Sequence, residues 1–236
     1  MPSAKDILLK PISSRRANRS VKRLHYSGKV CNNSQLHIGV FLNGSLEGVM
    51  QFGPPLDKRK VLPLVEDTEW NGMMELNRMA FSDRLPRNSE SRAISVAMKL
   101  MKKHAPDVEW ILSFADATQC GDGAIYRASG FVLTSVKPNS TMLRMPDGSV
   151  IADKTLNDRI GPDGKTLTFH AKQAGAKPLA GYQLRYVYFL NPEARARLTV
   201  PEIPFEMIDE IGAGMYRGEK IPYHKRNQDE PAQEAS

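Results

Sequence analysis

Two mostly apolar runs, residues 37–42 and 46–52, flank the polar Asn43-Gly44-Ser45. Asn-Gly is the favoured pair for a tight turn between antiparallel strands, so the pattern predicts a β-hairpin. Gly53-Pro54-Pro55 stops the second strand, residues 56–70 read as a loop with one helical turn, and residues 73–80 supply a third strand. From Ser91 the period changes: Ile94, Ala97, Met98 and Met101 recur at helical spacing until His104-Ala105-Pro106. Residues 108–115 are too continuously apolar for an exposed strand and predict a buried one. A short helix over 121–129 ends at Gly130, a C-terminal cap, and strands follow at 131–136 and 182–190.

Between these last strands, residues 137–181 are rich in Pro, Gly, Asn and Asp, with turns at Pro146-Asp147-Gly148 and Pro162-Asp163-Gly164. This reads as an inserted subregion. The polar stretch 219–236 predicts a disordered tail. The expected organisation is a basic arm at 1–29, one catalytic α/β domain at 30–218 and the tail. The order of elements puts chemistry at one sheet edge. Two successive strands run out into Asn77-Arg78 and Asp116 with a helix start between them, and open sheets bind ligands beyond their strand ends.

Charge sharpens the picture through its distribution. Residues 1–30 hold eight basic side chains against Asp6 alone, so the other 25 basic and 25 acidic residues cancel. A neutral body with a concentrated cationic segment suits a phosphate backbone, whose condensed counterions are released on binding. Arg15, Arg16, Arg19, Lys22, Arg23 and Lys29 are the expected nucleic-acid contacts, with a solvated or membrane-surface basic segment as the alternative. Removing residues 1–23 is expected to weaken DNA binding and flatten its salt dependence. The N-terminus lacks the apolar core of a signal peptide and no run suffices for a membrane span, which predicts a cytoplasmic protein. Cys31 and Cys120 lack zinc-site spacing and are expected to be free thiols.

The hairpin, strand, crossing helix and parallel strand together resemble the GNAT superfamily of acyl-CoA-dependent N-acyltransferases. The resemblance implies a mixed, mostly antiparallel central sheet with a splayed parallel strand pair and flanking helices. In that superfamily the turn into the long helix aims N–H groups at the cofactor pyrophosphate, and the splay admits the pantetheine arm. Here that turn holds Arg87, Asn88, Ser89 and Ser91 without the usual glycines. Those four residues are the expected contacts to an acyl-CoA-like donor.

A closer resemblance rests on residues 74–81, 85–95, 115–123 and 125–131, together with His25-Tyr26-Ser27-Gly28-Lys29. These segments resemble the Mom family of DNA-modification proteins from Mu-like phages over roughly residues 20–190. The resemblance implies conversion of adenine in duplex DNA to N6-carbamoylmethyladenine, which shields phage DNA from host restriction endonucleases. It implies double-stranded DNA as partner, the cytoplasm of an infected bacterial host as location, and no membrane association; a homodimer is left open. The implied essential residues are His25, Tyr26, Arg78, Ser91, Asp116 and Tyr126. Asp116 would be the proton acceptor or an orienting carboxylate, Tyr126 the proton donor to a leaving group, and Arg78 the anchor for an anion. Iron is also implied for this branch, yet His25, His37, His104, His170 and His224 form no ligand cluster by spacing, and metal ligands stay unassigned.

Each residue has a structural alternative. Asp116 could cap the helix after it, Tyr126 could be a core aromatic, Arg78 could pair with Glu75 or Glu90, and Ser91 could cap a helix. Two functional alternatives stand beside the DNA reading: an acyltransferase acting on a protein, tRNA or small amine, and a non-catalytic DNA-binding module. A methyltransferase is disfavoured, because the chain has no Gly-rich AdoMet loop and Gly53-Pro54-Pro55-Leu56 lacks the residues of an adenine-methylating motif.

Overall fold

The computed structural model describes residues 2–117, 121–140 and 142–214. Two compact units share the chain: one comprises Met1–Ala115, Gly123–Ser135 and Arg185–Phe205, the other Asp116–Asp122, Val136–Leu184 and the chain from Glu206. In chain order the elements are β1 (Leu8–Pro11), α1 (Ser14–Leu24), β2 (Leu36–Leu42), β3 (Ser45–Gly53), α2 (Lys58–Val61), β4 (Met73–Phe81), α3 (Ser89–His104) and β5 (Trp110–Asp116). They continue with α4 (Ala124–Ala128), β6 (Val132–Pro138), β7 (Met142–Arg144), β8 (Val150–Ala152), α5 (Asp153–Asn157), α6 (Leu167–Gln173), β9 (Lys177–Pro178), β10 (Tyr182–Phe189) and α7 (Met207–Glu210). Short 3-10 turns add to these, including Leu62–Leu64 and Pro192–Arg197.

Seven strands form one sheet in the order β1-β2-β3-β4-β5-β10-β6. β1 to β4 pair antiparallel, and β4 pairs parallel with β5. The hairpin turns at Asn43-Gly44, where both residues take positive φ, the geometry a two-residue turn needs to match strand twist. The long helix α3 buries Ala93, Ile94, Ala97, Met98 and Met101, the spacing expected from its apolar stripe. The expected loop at 56–70 does hold a helical turn, α2. The second short helix begins later than expected, at Ala124, because Gly121 and Gly123 take φ values of +140° and +81°, outside the helical region. In the second unit β8-β7-β9 form a three-stranded sheet, with α5 and α6 in the same inserted stretch. The tail, Cys120 and His224 lie outside the described residues.

The basic N-terminal segment is folded into the first unit. β1 adds an edge strand to β2, pairing Leu8 with Phe41 through Pro11 with Ile38. Ser13 caps α1 by accepting from the Arg16 N–H, and Ala17 and Val21 are fully buried against Val49 and Ala80, flanked by Ile12, Leu24 and Val30. Arg15, Arg16, Arg19, Lys22 and Arg23 stay exposed on the other side of the helix. A second cluster, Leu64, Val65, Met73, Trp110, Leu112, Val187 and Ala194, anchors the parallel pair, with Trp110 Nε1 donating to Thr68 Oγ1 at 3.0 Å.

Gly53 ends β3 under a tight crossing. A Cβ there would lie 2.5 Å from the Asn33 carbonyl oxygen and 2.8 Å from Asn77 Oδ1. Both asparagines are pinned, each donating its amide to the Pro54 carbonyl. Gly53→Ala is therefore expected to destabilise the protein by about 1–3 kcal/mol through overpacking against groups that cannot yield. A urea unfolding midpoint unchanged from wild type would contradict this.

Candidate active site

The site is built around an irregularity in β4. Opposite β3, Gln51 pairs with Arg78 and Phe52 with Leu76, so Asn77 is an extra residue, a β-bulge. In an unbroken strand, residues three apart face opposite sides of the sheet. The extra residue cancels that alternation, and Glu75 and Arg78 come to share one face. The guanidinium accordingly acts electrostatically on the Glu75 carboxylate. Gln51, opposite Arg78, donates to Asn18 of α1 at 2.9 Å, which identifies this as the face that α1 covers.

α1 delivers two further residues there. His25 is its C-terminal cap, with its N–H bonded to the Val21 carbonyl. Its Nδ1 lies 2.8 Å from Ser27 Oγ and accepts the Ser27 backbone N–H at 3.2 Å, which puts the proton of the neutral ring on Nε2. Burial, reinforced by the Arg78 charge, pushes the His25 pKa down to about 4. Tyr26 stacks on it with ring centroids 4.4 Å apart and is 51% exposed. Arg78 closes the group: its Nε donates to the Lys29 carbonyl at 3.0 Å and Nη1 to the Asn77 carbonyl at 2.6 Å. One guanidinium thus ties the loop after α1 to the bulge of β4.

The neutral histidine has a consequence for stability. Its folded-state pKa lies below the unfolded value of 6.5, so the stabilisation is full above that value and is lost as pH falls toward about 4. The melting midpoint is expected to drop across this window, and His25→Asn, which does not titrate, to flatten that drop. Equal pH dependence of the two proteins would refute the assignment.

Beside the bulge the parallel pair opens. β4 and β5 are partners only from Met73–Trp110 to Glu75–Leu112, although β4 continues to Phe81 and β5 to Asp116. Beyond Glu75 and Leu112 the strands separate, the splay expected from the sequence resemblance. Ser113, the first β5 residue past the split, is fully buried and its Oγ has no hydrogen-bond partner. At the start of α3, Asn88 takes φ +65° without a side-chain capping bond, and Ser89 is fully buried with its Oγ likewise unpartnered. Ser91 lies in the first turn of α3, where its Oγ donates to the Asn88 carbonyl at 3.2 Å; Asn88 and not Ser91 holds the capping position, and Arg87 is exposed.

Tyr126 is buried in α4, its ring packed against Phe131 and Tyr186 at centroid distances of 5.2 and 5.3 Å. Gly123 makes that packing possible, since at φ +81° a Cβ would fall 2.5 Å from the Tyr186 ring. Asp116 opens the segment Asp116–Asp122 of the second unit, while the other five expected residues belong to the first. His25, Tyr26 and Arg78 are brought together. Glu75, Asn77 and Gln51 join them although sequence reasoning gave them no functional role. The available signal was a pair of opposite charges three residues apart, with an asparagine between, in an otherwise apolar strand.

Among the described residues, no group of three or more His, Cys, Asp or Glu side chains is placed to hold a metal ion. Nδ1 of His25 is already engaged by Ser27, so the described residues do not fit the iron that the resemblance implied. A groove of about 690 Å³ beside the start of β4, lined by Leu56, Lys58, Trp70 and Met74 among others, contains none of the expected site residues.

A bulged strand, a split parallel pair and a long helix that links the two parted strands make up the mixed α/β architecture expected from the sequence. The model of the Mom protein family matches residues 6–207, and the chain belongs to that family. It is 40% identical over 198 residues to the methylcarbamoylase Mom of Escherichia phage Mu, covering 83% of this chain and 80% of that protein. Among solved structures it is similar to a spermidine/spermine N-acetyltransferase from Vibrio cholerae (TM-score 0.45, 8% identity, 82% of this chain and 98% of the other). It is also similar to a Bacillus subtilis acetyltransferase in complex with CoA (TM-score 0.44, 10% identity, 78% and 97%).

Proposed function

We propose that this protein is a DNA-modification enzyme that places a carbamoylmethyl group on adenine N6 in double-stranded DNA and so shields phage DNA from restriction endonucleases inside the infected host. Family membership and the methylcarbamoylase relative support the transferred group. The observation that carries the reading for this chain is the meeting of His25, Tyr26 and Arg78 at the end of a helix whose exposed face is basic. Phosphates bound along α1 would bring the duplex to that end of the helix.

Adenine N6 is a poor nucleophile, because its lone pair is delocalised into the ring, and in a duplex it is paired. Rotating the base out of the stack costs a few kcal/mol, which phosphate contacts along α1 offset. Tyr26, half exposed and stacked on His25, offers an aromatic face to the unstacked strand. Neutral His25 presents Nε2–H as a donor, Arg78 holds an anionic group, and Tyr126 returns a proton to the leaving group. An acyl-CoA-like donor would be held by Arg87, Asn88, Ser89 and Ser91 at the start of α3, where the unpartnered Ser89 hydroxyl suits a phosphate oxygen. Because the group is joined to N6 through its methylene carbon, that donor would have to carry its leaving group on that carbon and not as an ordinary acyl thioester. Among the described residues no helix is long and apolar enough to cross a membrane.

Mass spectrometry of nucleosides from plasmid DNA grown with and without the protein tests the reading. The expected result is a new adenosine species carrying one carbamoylmethyl group in place of a hydrogen, with restriction sites protected in the same DNA. Unmodified DNA alongside an acylated tRNA or protein would overturn it in favour of an ordinary acyltransferase.

A further inference from the structure

We propose that Glu75 is a catalytic residue, the carboxylate that takes the N6 proton of the target adenine at the mouth of the split between β4 and β5. The inference rests on the function proposed above and adds a residue to that reaction.

Four observations converge on this side chain. Glu75 and Leu112 are the last partners of the parallel pair, so Glu75 stands where the sheet begins to open. The Asn77 bulge turns it onto the face shared with Arg78, and Arg78 is bonded to the loop that follows His25. The Asn77 side chain favours the charged form of the Glu75 carboxylate, and Asn77 is itself held, its amide donating to the Pro54 carbonyl while its Oδ1 accepts from Ser34 Oγ at 3.0 Å. Asn77 is therefore fixed from two sides beside Glu75. Finally, burial raises the affinity of Glu75 for a proton above that of an ordinary glutamate, and this outweighs the opposing effects of Asn77 and Arg78. A surface ion pair with Arg78 would lower that affinity instead, so Glu75 is not acting simply as the counter-ion of Arg78.

The chemistry requires such a group. The carbamoylmethyl group is joined to N6 through its methylene carbon, so the N6 lone pair forms the new N–C bond. The pair from the broken bond leaves with the donor's leaving group, an anionic group on a carbamoylmethyl donor. The N6 proton passes to the Glu75 carboxylate and from there to solvent. A carboxylate whose pKa is moved toward neutrality is better matched to this transfer than an ordinary one, and positioned bases contribute about 10²–10⁴-fold. Among the described residues the charged group that acts on Glu75 is Arg78 on its own strand, and an arginine is no base at neutral pH.

The test compares wild type, Glu75→Gln and Glu75→Asp in cells carrying a reporter plasmid, with modified adenine counted by nucleoside mass spectrometry. The affinity of each purified protein for a DNA duplex and its melting midpoint are measured in parallel. Glu75→Gln keeps the volume and a polar head beside Asn77, so it is expected to lose at least about 100-fold in modification while binding DNA and melting like wild type. Glu75→Asp is expected to retain part of the activity. Glu75→Gln that modifies DNA as wild type does overturns the proposal for this residue alone, whereas a wild type that leaves adenine unmodified overturns the DNA reading together with it. Should Glu75→Gln fail to fold, the wild type decides in a bacterial lysate that supplies the donor. Its rate is expected to fall with decreasing pH before ordinary carboxylates titrate, and a rate that stays level to that point refutes Glu75 as the base.

Discussion

Replacing Arg78 by alanine is expected to abolish detectable adenine modification, a loss of at least about 100-fold, and to lower stability by about 1.5–3 kcal/mol. Two kinds of contact are lost together. Arg78 donates to the carbonyls of Lys29 and Asn77, and of these the partly buried bond to Asn77 lies at the strong end of the range, the exposed one to Lys29 lower. Without them the loop after α1 is no longer tied to the bulge, and His25 and Tyr26 lose their fixed position relative to β4. Arg78 also helps to keep His25 neutral, and it restrains the Glu75 carboxylate against protonation. In Arg78→Ala the His25 pKa is therefore expected to rise and that of Glu75 to rise further, which leaves fewer molecules in the active protonation state. Arg78→Lys separates the effects. It keeps the charge but not the fork that serves two carbonyls, so protonation should be largely preserved while position is lost. If Arg78→Lys modifies plasmid DNA at the wild-type level, the fork is dispensable and Arg78 acts through charge alone.

The parts of this architecture that were legible in the sequence are those whose burial is strongly one-sided. The hairpin was marked by Asn43-Gly44 between two apolar runs, α3 by an apolar stripe from Ile94 to Met101, and β5 by a run too apolar to face water. β1 and α1 were hidden by their charge. Ala17, Val21 and Leu24 do recur at helical spacing, but six cationic residues between Arg15 and Lys29 dominate the composition and read as an arm. Small buried residues under a cationic surface carry little hydropathy, although they pack as tightly as any other core.

For the site the limit lay elsewhere. His25, Tyr26 and Arg78 were named through motif resemblance, which identifies residues without saying which of them meet. Their juxtaposition depends on a single extra residue in β4, and a bulge is decided by the register between two strands, which no local pattern encodes. Glu75 was read only as one of two possible ion-pair partners of Arg78, because nothing local set it apart from Glu90. Ser91 shows the reverse case, a motif residue that the structure engages as part of a helix start.

Neutralising the exposed face of α1 is expected to produce the other large effect, on DNA affinity. Deleting residues 1–23 would remove the edge strand β1 and the helix that covers Val49 and Ala80, so a loss of binding in that variant would follow from damage to the fold alone. Substituting Arg15, Arg16, Arg19, Lys22 and Arg23 together by glutamine avoids this, because all five are exposed and glutamine is a good helix former. Each phosphate neutralised contributes about 0.9 to the slope of log affinity against log salt, so five contacts correspond to a fall of about 4–5 in that slope. Because the slope measures counterion release, it separates phosphate contact from loss of structure: an unfolded variant loses affinity at every salt concentration and also its melting transition, whereas the quintuple variant should keep its transition and bind weakly with a shallow slope. Modification in cells should fall with affinity, since the helix that binds the backbone is the one that ends in His25 and Tyr26. A quintuple variant that keeps the wild-type slope would place the phosphate-binding surface elsewhere, and the alignment of α1 with the site would then have no part in presenting adenine.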